Sequence, residues 1–138
     1  MLSFTADAVD AVAADALGLP ADSRLVSVER LRTVGGTPTA LMHNWLPPHF
    51  ADLTAADLED ASLYAILRAR GVRPVIAHQT IGARRPVARE RRLLGLSPGD
   101  PLLTMARRAY AASGAAVEYG DHCYRYDQYA FDVTVHDR

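Results

Sequence analysis

Arg30 and Arg32 lie two positions apart in an apolar, strand-like run, so their side chains leave the same face of the backbone. Two guanidinium forks side by side form a receptor for phosphate or carboxylate, because each can give two charge-assisted hydrogen bonds. The same spacing also fits a solvated strand face that merely carries two charges. Ser62 and Tyr64 fall in the first turn of an expected helix, where free backbone N–H groups and the positive dipole end favour an anion. The alternative there is a plain cap at Ser62 and a core aromatic at Tyr64. Glu118, His122 and Tyr124 share strand parity. Such a row suits a polyhydroxylated or amine-bearing guest, and fits an ordinary cross-strand polar ladder as well. Tyr119, of opposite parity, is expected to pack inward or against a partner.

Catalytic and metal chemistry find little support in the spacing. Ser62 has no Gly-x-Ser-x-Gly surroundings, and Cys123 and His122 are adjacent in a strand and so face opposite ways. His43, His49, His78 and His136 are scattered singly, and no His, Asp and Glu cluster has metal-site spacing. The expected catalytic set, metal set and cofactor are therefore none. Gly35-Gly36 reads as a hairpin turn, not a phosphate-cradling loop.

These residues must be positioned by elements that the chain spells out twice. Leu17-Gly18-Leu19, a short turn and an apolar run ending at Arg30 return 77 positions later as Leu94-Gly95-Leu96, a turn and a run ending at Arg107. A helical stretch precedes each copy and a Gly-containing turn follows each arginine, so one sheet built from two related halves is expected. A cleft between such halves is a natural seat for a small molecule.

Periodicity places the first helix over Asp7 to Leu17, with Val9, Val12, Ala13, Ala16 and Leu17 as its apolar positions. A hairpin follows from Leu25–Thr33 and Ala40–Leu46 across Val34-Gly35-Gly36-Thr37. Thr54 and Asp57 have the spacing of a capping box, and Asp60 or Ser62 can cap the next helix, which Gly71 ends. Val72–Ala83 is expected as a long central strand, and Val87–Leu94 as a basic amphipathic helix with Pro86 in its first turn. Leu102–Tyr110 and Ala116–Tyr126 form the second hairpin. The alternating Tyr129, Phe131, Val133 and Val135 predict a closing strand over Gln128–Val135. The expected class is α+β, an antiparallel sheet with helices packed on one side.

A chain of 138 residues with 49% apolar and 22% charged residues fits one domain with a sizeable core. Net charge is −1 and the 15 basic residues, all Arg, are dispersed, which argues against a broad nucleic-acid-binding surface. One cysteine permits no internal disulfide, and no apolar run approaches the roughly 20 residues of a membrane span. The reading is of a cytoplasmic protein with no membrane partner. Leu2-Ser3-Phe4-Thr5 directly after Met1 is an extended-looking stretch, as at the start of a domain cut from a longer chain.

Ser3-Phe4-Thr5, Arg30-Leu31-Arg32, Gly36-Thr37-Pro38, Leu46-Pro47, Ser62-Leu63-Tyr64, Leu94-Gly95-Leu96, Pro101-Leu102-Leu103, Arg107 and Val117-Glu118-Tyr119 occur in an order and spacing that resembles the UTRA domain. That is the effector-sensing half of GntR-type transcription regulators of the HutC subfamily. The resemblance implies a chorismate lyase-like fold over residues 1–138 and a non-enzymatic role. The domain would bind a small anionic metabolite and dimerise, acting on operator DNA through an N-terminal winged helix-turn-helix domain absent from this chain. It also implies that Arg30, Arg32, Ser62, Tyr64, Ser3 and Phe4 form the acid-binding end of the pocket, with Glu118 and Tyr124 at the other end. Aminosugar-phosphate sensors of the family carry a Glu where this chain has Met42, so a different guest is expected, with Asn44 as a neutral polar contact beside it. The competing expectations are a chorismate lyase-like enzyme acting on a small anionic substrate and a dimerisation module with a vestigial pocket.

Overall fold

A computed structural model describes residues 1–59 and 61–136. Six antiparallel strands, β1 (Ser3–Ala8), β2 (Leu25–Val34), β3 (Thr37–Leu46), β4 (Pro74–Arg84), β5 (Leu102–Ala111) and β6 (Ala116–Arg125), form one sheet. The spatial order is β1-β2-β3-β6-β5-β4. The first three strands and the last three are therefore two like-built sets that meet at the β3·β6 pair. Helix α1 (Ala11–Ala16) sits between β1 and β2, and α4 (Ala88–Leu94) between β4 and β5. Both repeats end their helix with a left-handed glycine, Gly18 at φ 70° and Gly95 at φ 67°, a conformation that glycine adopts without a Cβ penalty. The expected duplication is thus present in three dimensions.

The crossover between the sets carries a 3-10 turn (Pro48–Phe50), α2 (Ala55–Glu59) and α3 (Leu63–Ala69). Thr54 and Asp57 cap α2 reciprocally, the Thr54 N–H donating to Asp57 Oδ2 at 2.9 Å and the Asp57 N–H to Thr54 Oγ1 at 3.3 Å. Ser62 caps α3 by accepting from the Ala65 N–H at 3.2 Å. Asp60, the other candidate cap, lies outside the described residues. Leu58, Leu63 and Leu67 of these helices pack on Val26, Val28 and Leu46. Each fully buried Leu or Val contributes about 1.5–3 kcal/mol.

The even-numbered β2 and β3 side chains meet α2 and α3, while odd-numbered Leu25, Leu41 and Trp45 meet α1 and α4. Helices therefore cover both faces of the sheet, not one side as expected, because two separate apolar stripes are present and each needs its own cover. Four further expectations are corrected. The first helix is shorter than Asp7–Leu17, since residues to Ala8 pair with β2 and Asp10 caps the helix by accepting from the Ala13 N–H at 2.9 Å. Val9 and Val12 accordingly stay exposed, and Ala14 is buried with Ala13 and Leu17.

The strand read as central, β4, is an edge strand, and nearly all of it is exposed. Its apolar content suggested burial that no helix provides. The segment from Gln128 to Val135 makes no strand: it turns at Gln128 and runs on without sheet pairing. Its alternating aromatics instead fold over the sheet, where Tyr129 stacks on Tyr124 at 4.3 Å. Pro86 precedes α4 rather than entering it, and Val87 is the N-cap, its N–H donating to Glu90 Oε1 at 2.9 Å.

Candidate functional site

On the face that carries α2 and α3, a cavity of about 520 Å³ opens between α3, the sheet and the C-terminal segment. That volume suits a small metabolite. Its floor consists of rows that run across strands. Arg30, Met42, His122 and Met105 are successive neighbours on β2, β3, β6 and β5, and Asn44, Gly120, Arg107 and Gln79 form the next row. Ser62, Leu63 and Tyr64 close one wall, and Tyr129, Phe131 and Asp132 another.

The structure therefore gathers Arg30, Arg32, Met42, Asn44, Ser62, Tyr64, His122 and Tyr124 around one space. Three residues named with them lie elsewhere. Ser3 is on β1 opposite Glu29, exposed at the sheet margin. Phe4 packs against the core under α3. Glu118 is completely buried beneath the floor, where its Oε1 accepts from Asn44 Nδ2 at 2.7 Å and from Arg107 Nη2 at 3.4 Å. Its parity with His122 and Tyr124 holds, but Asn44 and Arg107 stand between it and the open space. Tyr119 faces the other side and stacks on Trp45.

Electrostatics set this space apart. Among the described residues Arg30 and Arg32 make no ion pair, whereas Arg70, Arg84, Arg89, Arg107 and Arg125 each reach a carboxylate. The Nε of Arg30 is buried and has no hydrogen-bond partner, and so are Arg107 Nε and Glu118 Oε2. Burial first, and then the neighbouring Arg32, push the Arg30 pKa down. An unpaired, partly buried cation of this kind is costly unless an anion arrives to pair with it. His122 donates to or accepts from Tyr124 Oη at 3.1 Å and faces Asn44 Oδ1 at 3.4 Å. Burial, followed by Arg107 and Arg30, lowers its pKa to about 4, so it is a neutral imidazole at neutral pH. Burial, followed by Glu118, raises the Tyr64 pKa, and its phenol remains a hydrogen-bond donor.

Arg107, Tyr129 and Phe131 line the cavity without being among the site residues expected from the sequence. Arg107 lies with its guanidinium carbon 4.9 Å from the Tyr64 ring centroid, a cation–π contact that holds it beside the floor. The repeat signals it, because Arg107 occupies the place of Arg30 in the second copy. Gly120 leaves room where polar groups converge: a Cβ there would meet Glu118 Oε1 at 2.9 Å and His122 Nε2 at 3.1 Å. Tyr129 and Phe131 show in the sequence as an alternating pattern, which points to a strand rather than a wall. A second hollow of about 570 Å³ beside α1 lacks any such pair of free cations.

Comparison with known proteins agrees with this architecture. The UTRA domain family model matches residues 1–130. The HTH-type transcriptional repressor PhnF of Mycolicibacterium smegmatis is 31% identical over 128 residues, covering 92% of this chain and 52% of the repressor. The chain thus spans about half the length of that curated relative. A crystal structure assigned as a transcriptional regulator from Streptomyces coelicolor superposes with a TM-score of 0.89 at 42% identity, covering 95% of this chain and 87% of the other. The ligand-binding domain of a protein assigned to the GntR regulators of Bordetella bronchiseptica gives 0.82 at 31% identity, with 89% and 80% covered. The chain belongs to the UTRA family. It is an effector-binding domain of a GntR-family transcriptional regulator with the chorismate lyase-like α+β fold, in a family of regulator domains and not of enzymes.

Proposed function

We propose that this domain senses a small anionic metabolite, a sugar phosphate or an organic acid, and that occupancy controls DNA binding by a linked winged helix-turn-helix domain of a HutC-type regulator. The single observation that carries the reading is the pair of guanidinium groups, Arg30 and Arg32, both unpaired and both on the wall of one cavity. In the filled state the two forks grip the anion, the Ser62 hydroxyl and Tyr64 phenol donate to it, and Arg107 approaches from the opposite half of the sheet. A ligand changes operator binding only through a preference for one arrangement of the regulator. The guest joins groups from α3, both halves of the sheet and the C-terminal segment, so it favours the arrangement in which these are drawn together.

The proposed regulator acts as a homodimer in the cytoplasm; among the described residues no helix is long and apolar enough to cross a membrane. The contact we assign to the dimer is β4, an 11-residue edge strand that is exposed along almost its whole length, with Val75 and Ile76 more than half exposed. An open, apolar edge of this length invites a second strand.

Calorimetry with inorganic phosphate, simple phosphate esters and dicarboxylic acids tests the anion site. At least one should bind the wild type, and Arg32→Ala should weaken it about 10- to 100-fold, the value of a charge-assisted hydrogen-bond pair of about 1.5–3 kcal/mol. Equal affinities in the two proteins would remove the clamp.

A further inference from the structure

We propose that the effector carries an apolar body behind its anionic group, and that Met42 and Met105 select such a body against a polyhydroxylated one. This rests on the anion-sensing reading and names the class of guest that the same cavity would take.

Beyond the arginines the floor changes character. Met42, His122 and Met105 are consecutive cross-strand neighbours, so two thioethers flank one imidazole. Next to them Tyr124 packs with Ala40, Leu103 and Met105, and Phe131 meets its ring edge-on at 5.6 Å. Thioethers and ring faces attract apolar and aromatic surface, and a thioether is at best a weak acceptor. A sugar ring brings several hydroxyls, each of which needs partners when taken out of water.

Close to the thioethers the acid and amide that could serve such hydroxyls are held below the surface, and Gln79, the other amide of the lining, stands on the exposed edge strand. The carboxylate on this side of the molecule, Glu118, is 0% exposed and is held by Asn44 and Arg107. Asn44 is 2% exposed, its amide nitrogen donating to Glu118 and its oxygen facing His122. The acid that does reach the wall, Asp132, belongs to the exposed C-terminal segment at the rim. Burial keeps His122 uncharged at neutral pH, and Arg107, the cation in the neighbouring row, is already engaged by Glu118 and the Tyr64 ring. The cavity thus has a cationic end and an apolar end, which matches an anion joined to an aryl or alkyl group.

Titration calorimetry on the full chain at fixed pH and ionic strength, with inorganic phosphate, phenyl phosphate, n-butyl phosphate and glucose 6-phosphate, separates the possibilities. Phenyl or butyl phosphate should bind at least 10-fold more tightly than glucose 6-phosphate, and the sugar ester no more tightly than inorganic phosphate. Met42→Glu should narrow or invert that preference. Met42→Gln, which adds a polar end without a charge, should narrow it as well and serves if the glutamate variant does not fold. A wild type that prefers the sugar ester, or a preference unchanged in the folded variants, overturns the proposal while leaving anion sensing intact. Failure of all four phosphates to bind overturns both.

Discussion

The groups that matter most are those held without a partner or without a charge. Arg30 keeps a buried, unpaired Nε, and His122 is kept neutral with its pKa lowered to about 4. The imidazole has a consequence for stability. With a folded pKa below the unfolded value of about 6.5, the unfolded chain binds more protons between those two values, so stability rises with pH across that window. It is fully present above about pH 6.5 and is lost as pH falls towards 4. The upper limit is roughly 3 kcal/mol, from about 1.4 kcal/mol for each tenfold change in proton affinity. Melting temperatures followed from pH 7.5 to 4.5 should fall more steeply for the wild type than for His122→Gln. Parallel curves would show that the imidazole carries no linkage. A residue-scale test of the floor is Gly120→Ala, which places a methyl group at 2.9 Å from Glu118 Oε1. Overpacking of this kind costs about 1–3 kcal/mol, measurable by urea unfolding. At this scale the sequence was a good guide to strand parity, and eight named residues do share one cavity. It could not show that Glu118 lies below the floor, since parity fixes the direction of a side chain and not which neighbours stand above it.

At the level of elements, α3 brings two jobs to one side chain. Ser62 accepts from the Ala65 N–H as the helix cap and also stands on the cavity wall. Ser62→Ala should therefore cost about 0.5–2 kcal/mol of stability and weaken anion binding as well. Ser62→Asp separates the two roles: aspartate caps as well as serine, so the melting temperature should hold, while its charge repels the anion and affinity should fall at least 10-fold. Loss of neither property with aspartate would place the Ser62 side chain outside the binding surface. Elements with local signals were readable from the chain, because a capping box, a left-handed glycine or a Gly-Gly turn is spelled by neighbouring residues. Their environment was not. The edge position of β4 and the placing of helices on both faces depend on which apolar stripe meets which, a tertiary outcome. The C-terminal segment shows the limit of periodicity: Tyr129 and Phe131 alternate like a strand, yet ring stacking on Tyr124 leads them over the cavity.

For the whole molecule, the open side of the sheet bears on assembly. If β4 is the seam of a dimer, Ile76→Lys should shift the chain from dimer to monomer in sedimentation or size-exclusion measurements, since an edge lysine opposes strand pairing. An unchanged mass would assign the dimer contact to another surface. The duplication has a larger consequence. The chain passes from its first set of strands to its second only once, through the segment that carries α2 and α3, and otherwise the two sets are joined along the β3·β6 ladder. Arg30 belongs to one set and Arg107 to the other, so a guest touching both acts as a removable rivet between two twin modules. Filling and emptying the molecule would then tighten and loosen a joint that the twin architecture already supplies, and a joint of that kind is what a sensor needs in order to move something attached to it.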